Sequence, residues 1–229
     1  MTGNSFVSTR ISGLCGILAP IIGLTCIALA ILLCPWFSWT ENYLSDLGGS
    51  PGDRPIWAAH GMASVLFNCG LVIAGVLGVC FVVGMRKIPA LNSRLGKIGS
   101  SFYLMDACAL IGIGIFPEST GAPHTFFSIT FFILVGVSLV FIGMALKKKS
   151  ERTLGWLAFA LLAFGLIAVP LFFMPQPSGS NAIAEMIPII SIAIFSMVFG
   201  YRLYDQGQDG GKKEMPMLRK SKELHLFLV

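Results

Sequence analysis

The side chains of this chain that could do chemistry collect in three short polar stretches between long apolar ones. The first, PWFSWTENYLSDLGGSPGDRPIW, carries Glu41, Asn42, Ser45, Asp46, Asp53 and Arg54, with His60 just beyond it. The second, FPESTGAPH, carries Glu118 and His124, and the third, PQPSGSNAIAE, carries Asn181 and Glu185. Carboxylates accept hydrogen bonds, ligate metals or serve as general bases, and an imidazole changes charge near neutral pH. Brought together, Asp46, Glu118, His124 and Glu185, with Glu41 and His60 nearby, would line a polar pocket. The carboxylates would accept hydrogen bonds there and His124 would be a titratable donor. Such a pocket suits a lipid head group or a small polar ligand. The same residues would also suit an acid–base or metal-assisted hydrolase acting on lipids. The plain alternative is that they cap helix starts, which favour an anion. The chain has no HExxH and no Cys/His pair at metal-site spacing, so neither a cofactor nor a metal is expected.

One carboxyl stands apart from the loops. Asp106 lies in FYLMDACAL, in the middle of an apolar run. A carboxylate near a bilayer centre costs a few kcal/mol, so it finds a partner or lines a cavity. Asn68 lies eight residues below His60 and Asp106 ten below Phe116. At the helical rise these offsets are about 12 Å and about 15 Å. Similar depths on consecutive segments predict an Asn68–Asp106 hydrogen bond, with Asp106 protonated, as a polar clamp. A proton or ligand path is the other use for such a residue, and it would make the chain a small-solute or proton-coupled transporter. That reading needs a cavity at mid-depth and broken helices.

The elements that must hold these residues are membrane spans. The chain is 55% hydrophobic and 12% charged, with a mean hydropathy of +0.81. About 20 apolar residues in a helix cross the roughly 30 Å hydrocarbon layer, and lipid tolerates no unpaired backbone. Apolar runs fall at approximately 11–34, 58–85, 98–116, 125–146, 154–174 and 182–204. They do not alternate with polar residues as barrel strands do. The fold class is therefore all-α, a polytopic bundle of six transmembrane helices forming one domain over 1–204, followed by a basic tail over 205–229. The connections leave no room for a separate soluble domain.

Charge sets the orientation. Arg10, the 86–97 turn, the 147–152 turn, Arg202 and the tail hold nearly all Lys and Arg, and an even number of spans puts them on one side. Positive residues near span ends stay cytoplasmic, so both termini are expected inside and the three acidic loops outside, in the cell membrane. The net charge of +5 then suits anionic head groups and requires no nucleic acid. Membrane lipids are the expected partners. The first apolar run is longer than the roughly 7–15 residues of a signal h-region and reads as an anchor helix. The tail, GKKEMPMLRKSKELHLFLV, suits either an interfacial helix or a disordered segment. Cysteines 15, 26, 34, 69, 80 and 108 all lie within spans and imply no outer disulfide framework. Gly70, Ala74 and Gly78, and Ser12, Gly16 and Pro20 with Gly23 close by, form small-residue stripes for close helix packing. Pro20, Pro170 and Pro188 should kink or end helices.

Several short motifs carry a resemblance. SDLG at 45–48, the FNCGL run at 67–71, IGIFPE at 113–118 followed by His124, and Glu185 at the start of the sixth span resemble the archaeal and bacterial six-span family numbered 998 in the domain-of-unknown-function series. The resemblance runs from the first span to the sixth, and FPE followed by His is its most specific piece. AIAEM departs from the pattern, keeping Glu185 without a neighbouring Arg, so a site needing that Arg is not implied. In layout the chain is also similar to the Frag, DRAM and Sfk six-span proteins. That similarity implies a lipid-facing role and no particular activity.

Overall fold

A computed structural model describes the backbone of residues 3–50, 53, 58–148, 151–174 and 181–226, and the side chains of 8–50, 53, 58–148, 151–174 and 181–207. Arg54, Trp57, Lys149 and the 175–180 part of the third loop lie outside the described residues. Among the described residues there is no strand. The helices are α1 Gly3–Leu33, α2 Met62–Met85, α3 Arg94–Ile115, α4 Ala122–Lys147, α5 Arg152–Leu166, α6 Ala168–Phe172 and α7 Asn181–Leu226. Short 3₁₀ turns occupy Ser45–Gly48, Pro89–Asn92 and Glu118–Thr120. Six segments are long and apolar enough to cross a membrane: five single helices and the α5–α6 pair. The chain is a multi-pass membrane protein by that measure.

Hydropathy marks where lipid lies, not where a helix starts. α3 begins at Arg94, four residues before the apolar run, because the Ser93 hydroxyl accepts Gly96 N at 3.2 Å and caps it. α2 begins later than its run, after Gly61 at φ +60°, a turn conformation that glycine adopts freely. His60 therefore precedes the helix rather than lying inside it. Cys34 likewise falls just past α1. Pro170 lacks the N–H that a continuous helix would aim at Leu166, and the fifth span breaks at Ile167. α1 and α7 run through Pro20 and Pro188 without a break in the helix. α7 also continues as helix through most of the tail.

The six segments close a ring. α1 packs on α2 and α7, α3 on α2 and α4, and α5 on α4 and α7. In lipid there is little hydrophobic drive between helices, so close backbone approach matters. A Cβ on Gly13 would sit 2.5 Å from Tyr204 N, which fixes the α1–α7 contact. Both small-residue stripes serve the bundle. Gly70 meets Cys26, Ala74 meets Gly23, and Gly16 receives the Phe81 ring. The outward surface is apolar, with Leu32, Phe126 and Ile133 exposed, whereas Ser64, Asn68, Ser100, Asp106 and Ser138 are buried within the ring.

Successive spans alternate in direction, so the ring has two unlike ends. At the basic end Arg202 pairs with Glu151 at 3.0 Å and the Lys147 ammonium lies 3.6 Å from the centre of the Trp156 ring. The acidic end holds the three polar loops.

Candidate functional site

The first loop does not ride on the surface. Its 3₁₀ turn, Ser45–Gly48, is driven into the acidic end of the ring by Leu44 and Leu47, 2% and 0% exposed. Asp46 folds the chain locally. Its Oδ2 accepts from Tyr43 N at 2.9 Å and Asn42 Nδ2 at 3.2 Å, and its Oδ1 accepts from Ser50 Oγ at 3.1 Å. A short Asp side chain that satisfies nearby donors favours such a turn over helix or strand. Three other elements then grip it. Glu185 Oε2 of α7 accepts Leu44 N at 2.6 Å, Asn68 Nδ2 of α2 donates to Gly48 O at 3.0 Å, and Ser119 N of the second loop donates to Gly49 O at 2.8 Å. A Cβ on Gly48 would meet Asn68 Oδ1 at 2.5 Å, so this position has no room for a side chain.

Three carboxyl groups gather around this turn. Glu118 lies against the Ser45 hydroxyl and the Asp46 carboxyl, with its Oε2 buried and without a hydrogen-bond partner. Burial first, and then the neighbouring Asp46, pushes the Glu118 carboxyl up to about 7, with the Ser45 hydroxyl opposing. Glu185 lies within electrostatic reach of both Glu118 and Asp46. The Tyr43 hydroxyl is pushed up by partial burial and by the same three carboxyls. Among the described residues no Lys or Arg stands at this end.

Beneath the turn is a cavity of about 40 Å³ whose polar lining is Ser45, His124, Ser128 and Glu185. His124 is 6% exposed. Its Nδ1 lies 2.8 Å from Phe116 O. A carbonyl only accepts, so Nδ1 carries the proton and the Nε2 of a neutral ring is an acceptor. Nε2 lies 3.1 Å from Ser128 Oγ, which therefore donates to it. This is the arrangement of a hydroxyl nucleophile beside an oriented base. Ser128 was not among the residues expected from sequence. The available signal was its spacing, one turn after His124 in HTFFS.

The lining differs from the one expected. Glu185 and His124 border the cavity. Asp46 and Glu118 do not, because both turn toward the loop to satisfy Tyr43, Ser45 and Ser50. Glu41 is exposed at the rim. His60 sits apart, its Nε2 3.3 Å from Asp53 Oδ2 but misaligned for a hydrogen bond, and its ring 4.8 Å from Trp36. Among the described residues no three His, Cys, Asp or Glu side chains are grouped to hold a metal ion.

The expected Asn68–Asp106 hydrogen bond is not made. Asn68 spends its amide on Gly48 O, and both Asn68 Oδ1 and Asp106 Oδ1 are buried without a partner. The cause is register. Asn68 O lies 2.5 Å from where a Gly114 side chain would start, so Asn68 faces the end of α3. Asp106 lies two turns deeper, at the level of Gly78 and Ala107.

Residues 17–202 match a family model described as a protein of unknown function, DUF998. No curated protein and no solved structure matches the chain.

Proposed function

Because the chain belongs to the DUF998 family, whose description names no activity, we propose a function from the site itself. The acidic end faces out of the cell and binds an amphiphile whose head donates hydrogen bonds or carries positive charge. The observation that carries this reading is the cavity bordered by Glu185, His124, Ser128 and Ser45, with two further carboxyls behind it and no described cation. A phosphate head would meet carboxyl groups, whereas a hydroxyl or ammonium head would meet acceptors. An apolar groove of about 490 Å³ between α4, α5–α6 and α7 shares Phe132 with the cavity and suits an acyl tail. The basic loops, cytoplasmic by the positive-inside rule, support the orientation. Ligand binding to the folded state raises the unfolding temperature. Amine- or polyol-headed lipids should therefore stabilise the detergent-purified protein, and Glu185→Gln should weaken that effect. Stabilisation by anionic lipids alone would refute the reading.

A lipid hydrolase is the second reading, favoured by the Ser128–His124 pair. There Ser128 Oγ would attack an ester carbonyl while its proton passes to His124 Nε2. The protonated imidazole would then hand that proton to the departing alcohol, and water would release the acyl group. Covalent labelling of Ser128 by a fluorophosphonate, lost in Ser128→Ala and in His124→Ala, selects this reading over simple binding.

A further inference from the structure

Below the candidate cavity the ring stays hollow. A second cavity, of about 90 Å³, has Asp106, Tyr103 and Ser196 as its main polar lining. Asp106 is 3% exposed, and its Oδ1 is without a hydrogen-bond partner. Ser196 Oγ donates to Gly16 O at 2.9 Å and is also hydrogen-bonded to Tyr103. With its single proton committed, Ser196 accepts from the Tyr103 hydroxyl. Tyr103 then keeps lone pairs free for a neighbouring donor.

The two cavities share Ile27, Leu71, Leu110, Phe131 and Ile189. These five apolar side chains form a collar between two polar chambers. On α7 the positions facing the chambers are Glu185, Ile189, Ile192, Ala193 and Ser196, a single helical stripe. The eleven helical steps from Glu185 to Ser196 span about 16 Å at the helical rise. Toward the basic end the hollow is closed by rings. Phe81 meets Tyr103 edge-on at 5.7 Å and Phe199 at 6.1 Å, and Phe199 stacks on Phe195 at 5.4 Å. Phe81, Phe195 and Phe199 are each 0% exposed.

We propose that Asp106 is an intramembrane proton-binding site that exchanges its proton with the acidic end alone, through the apolar collar, and is sealed from the basic end by the aromatic floor. A void needs roughly 10–15 Å³ and two to four polar partners to hold a water, so the lower chamber suits a water held by Asp106, Tyr103 and Ser196. An apolar constriction passes water intermittently and acts as a gate. Tyr103 and Asp106, both on α3, are the titratable groups of this chamber. α1, α2 and α4 turn Ala19, Gly23, Gly78 and Phe131 toward it, and α7 contributes Ser196. The proton therefore has one carboxyl owner and one way out. An occupant of the upper chamber would close that way and trap the proton below. The inference rests on the interior geometry and stands whether or not an amphiphile binds above.

The test uses the full chain in lipid nanodiscs. Infrared spectra should contain a carboxylic acid C=O band that is lost in Asp106→Asn and shifts after transfer to D₂O. Filling the collar by Leu110→Trp, or by the milder Leu71→Phe, should slow that shift several-fold without removing the band. In proteoliposomes carrying a pH-sensitive dye, wild type and Asp106→Asn should leak protons equally. Three results would overturn the proposal: no Asp106-dependent band, a shift rate indifferent to the collar variants in folded protein, or proton flux that depends on Asp106.

Discussion

Glu185 and Asp106 are both carboxyl side chains buried inside the same ring, at 9% and 3% exposure, and the protein treats them in opposite ways. Glu185 is committed to the Leu44 and Ser45 backbone and holds a loop inside the bundle. Asp106 is not committed through its Oδ1 and faces a void. A buried acid spent on backbone donors is architecture first. A buried acid with an oxygen left without a donor is available to a proton, a water or a ligand. Depth alone does not separate the two, but the count of donors does.

The comparison breaks first at Glu185. Removing the carboxyl in Glu185→Ala strands the buried Leu44 N and should cost about 2–3 kcal/mol, read as a lower midpoint in thermal unfolding. Glu185→Gln keeps an acceptor and should lose less than half of that. Next comes Asn68→Ala, which leaves Gly48 O without its donor but also removes the unpartnered Oδ1. The two effects oppose, so a net loss of about 1 kcal/mol is expected in the same assay.

Glu118 sharpens the contrast through pH. Its carboxyl is raised from about 4.5 to about 7 in the fold, so the folded state holds this proton more tightly than the unfolded chain does. The stability it contributes is complete below about 4.5 and is lost as pH climbs through about 7. The unfolding midpoint of the wild type should fall across that window, and Glu118→Gln should flatten the fall. The smallest effect belongs to Asp106→Asn, an isostere of the protonated acid. It should change stability by no more than about 0.5 kcal/mol. A large loss there would show that Asp106 is architecture after all.

The six-segment helical class was legible because lipid demands long apolar runs and a helix is the cheapest way to satisfy a backbone inside it. The gathering of Asp46, Glu118 and Glu185 near one turn also follows from topology, since alternate connections share an end. What one sequence does not carry is register between helices. Counting from the rims put Asn68 beside Asp106, yet α2 and α3 slide until Asn68 faces Gly114. Nor did hydropathy show that SDLG folds inward. That outcome depends on Asp46 closing the turn and on the bare Gly48 fitting against Asn68. Ser128 was hidden for a related reason, because a lone hydroxyl on an apolar helix looks inert until an imidazole one turn earlier is seen to face it.

The interruption at Ile167 has a mechanical consequence. Gly165, Leu166, Ala168 and Val169, on either side of it, form one wall of the apolar groove. That wall is two short rods meeting at a joint, while α4 opposite is a single beam. Swinging the shorter rod about that joint would widen the groove with no turn of helix to unwind.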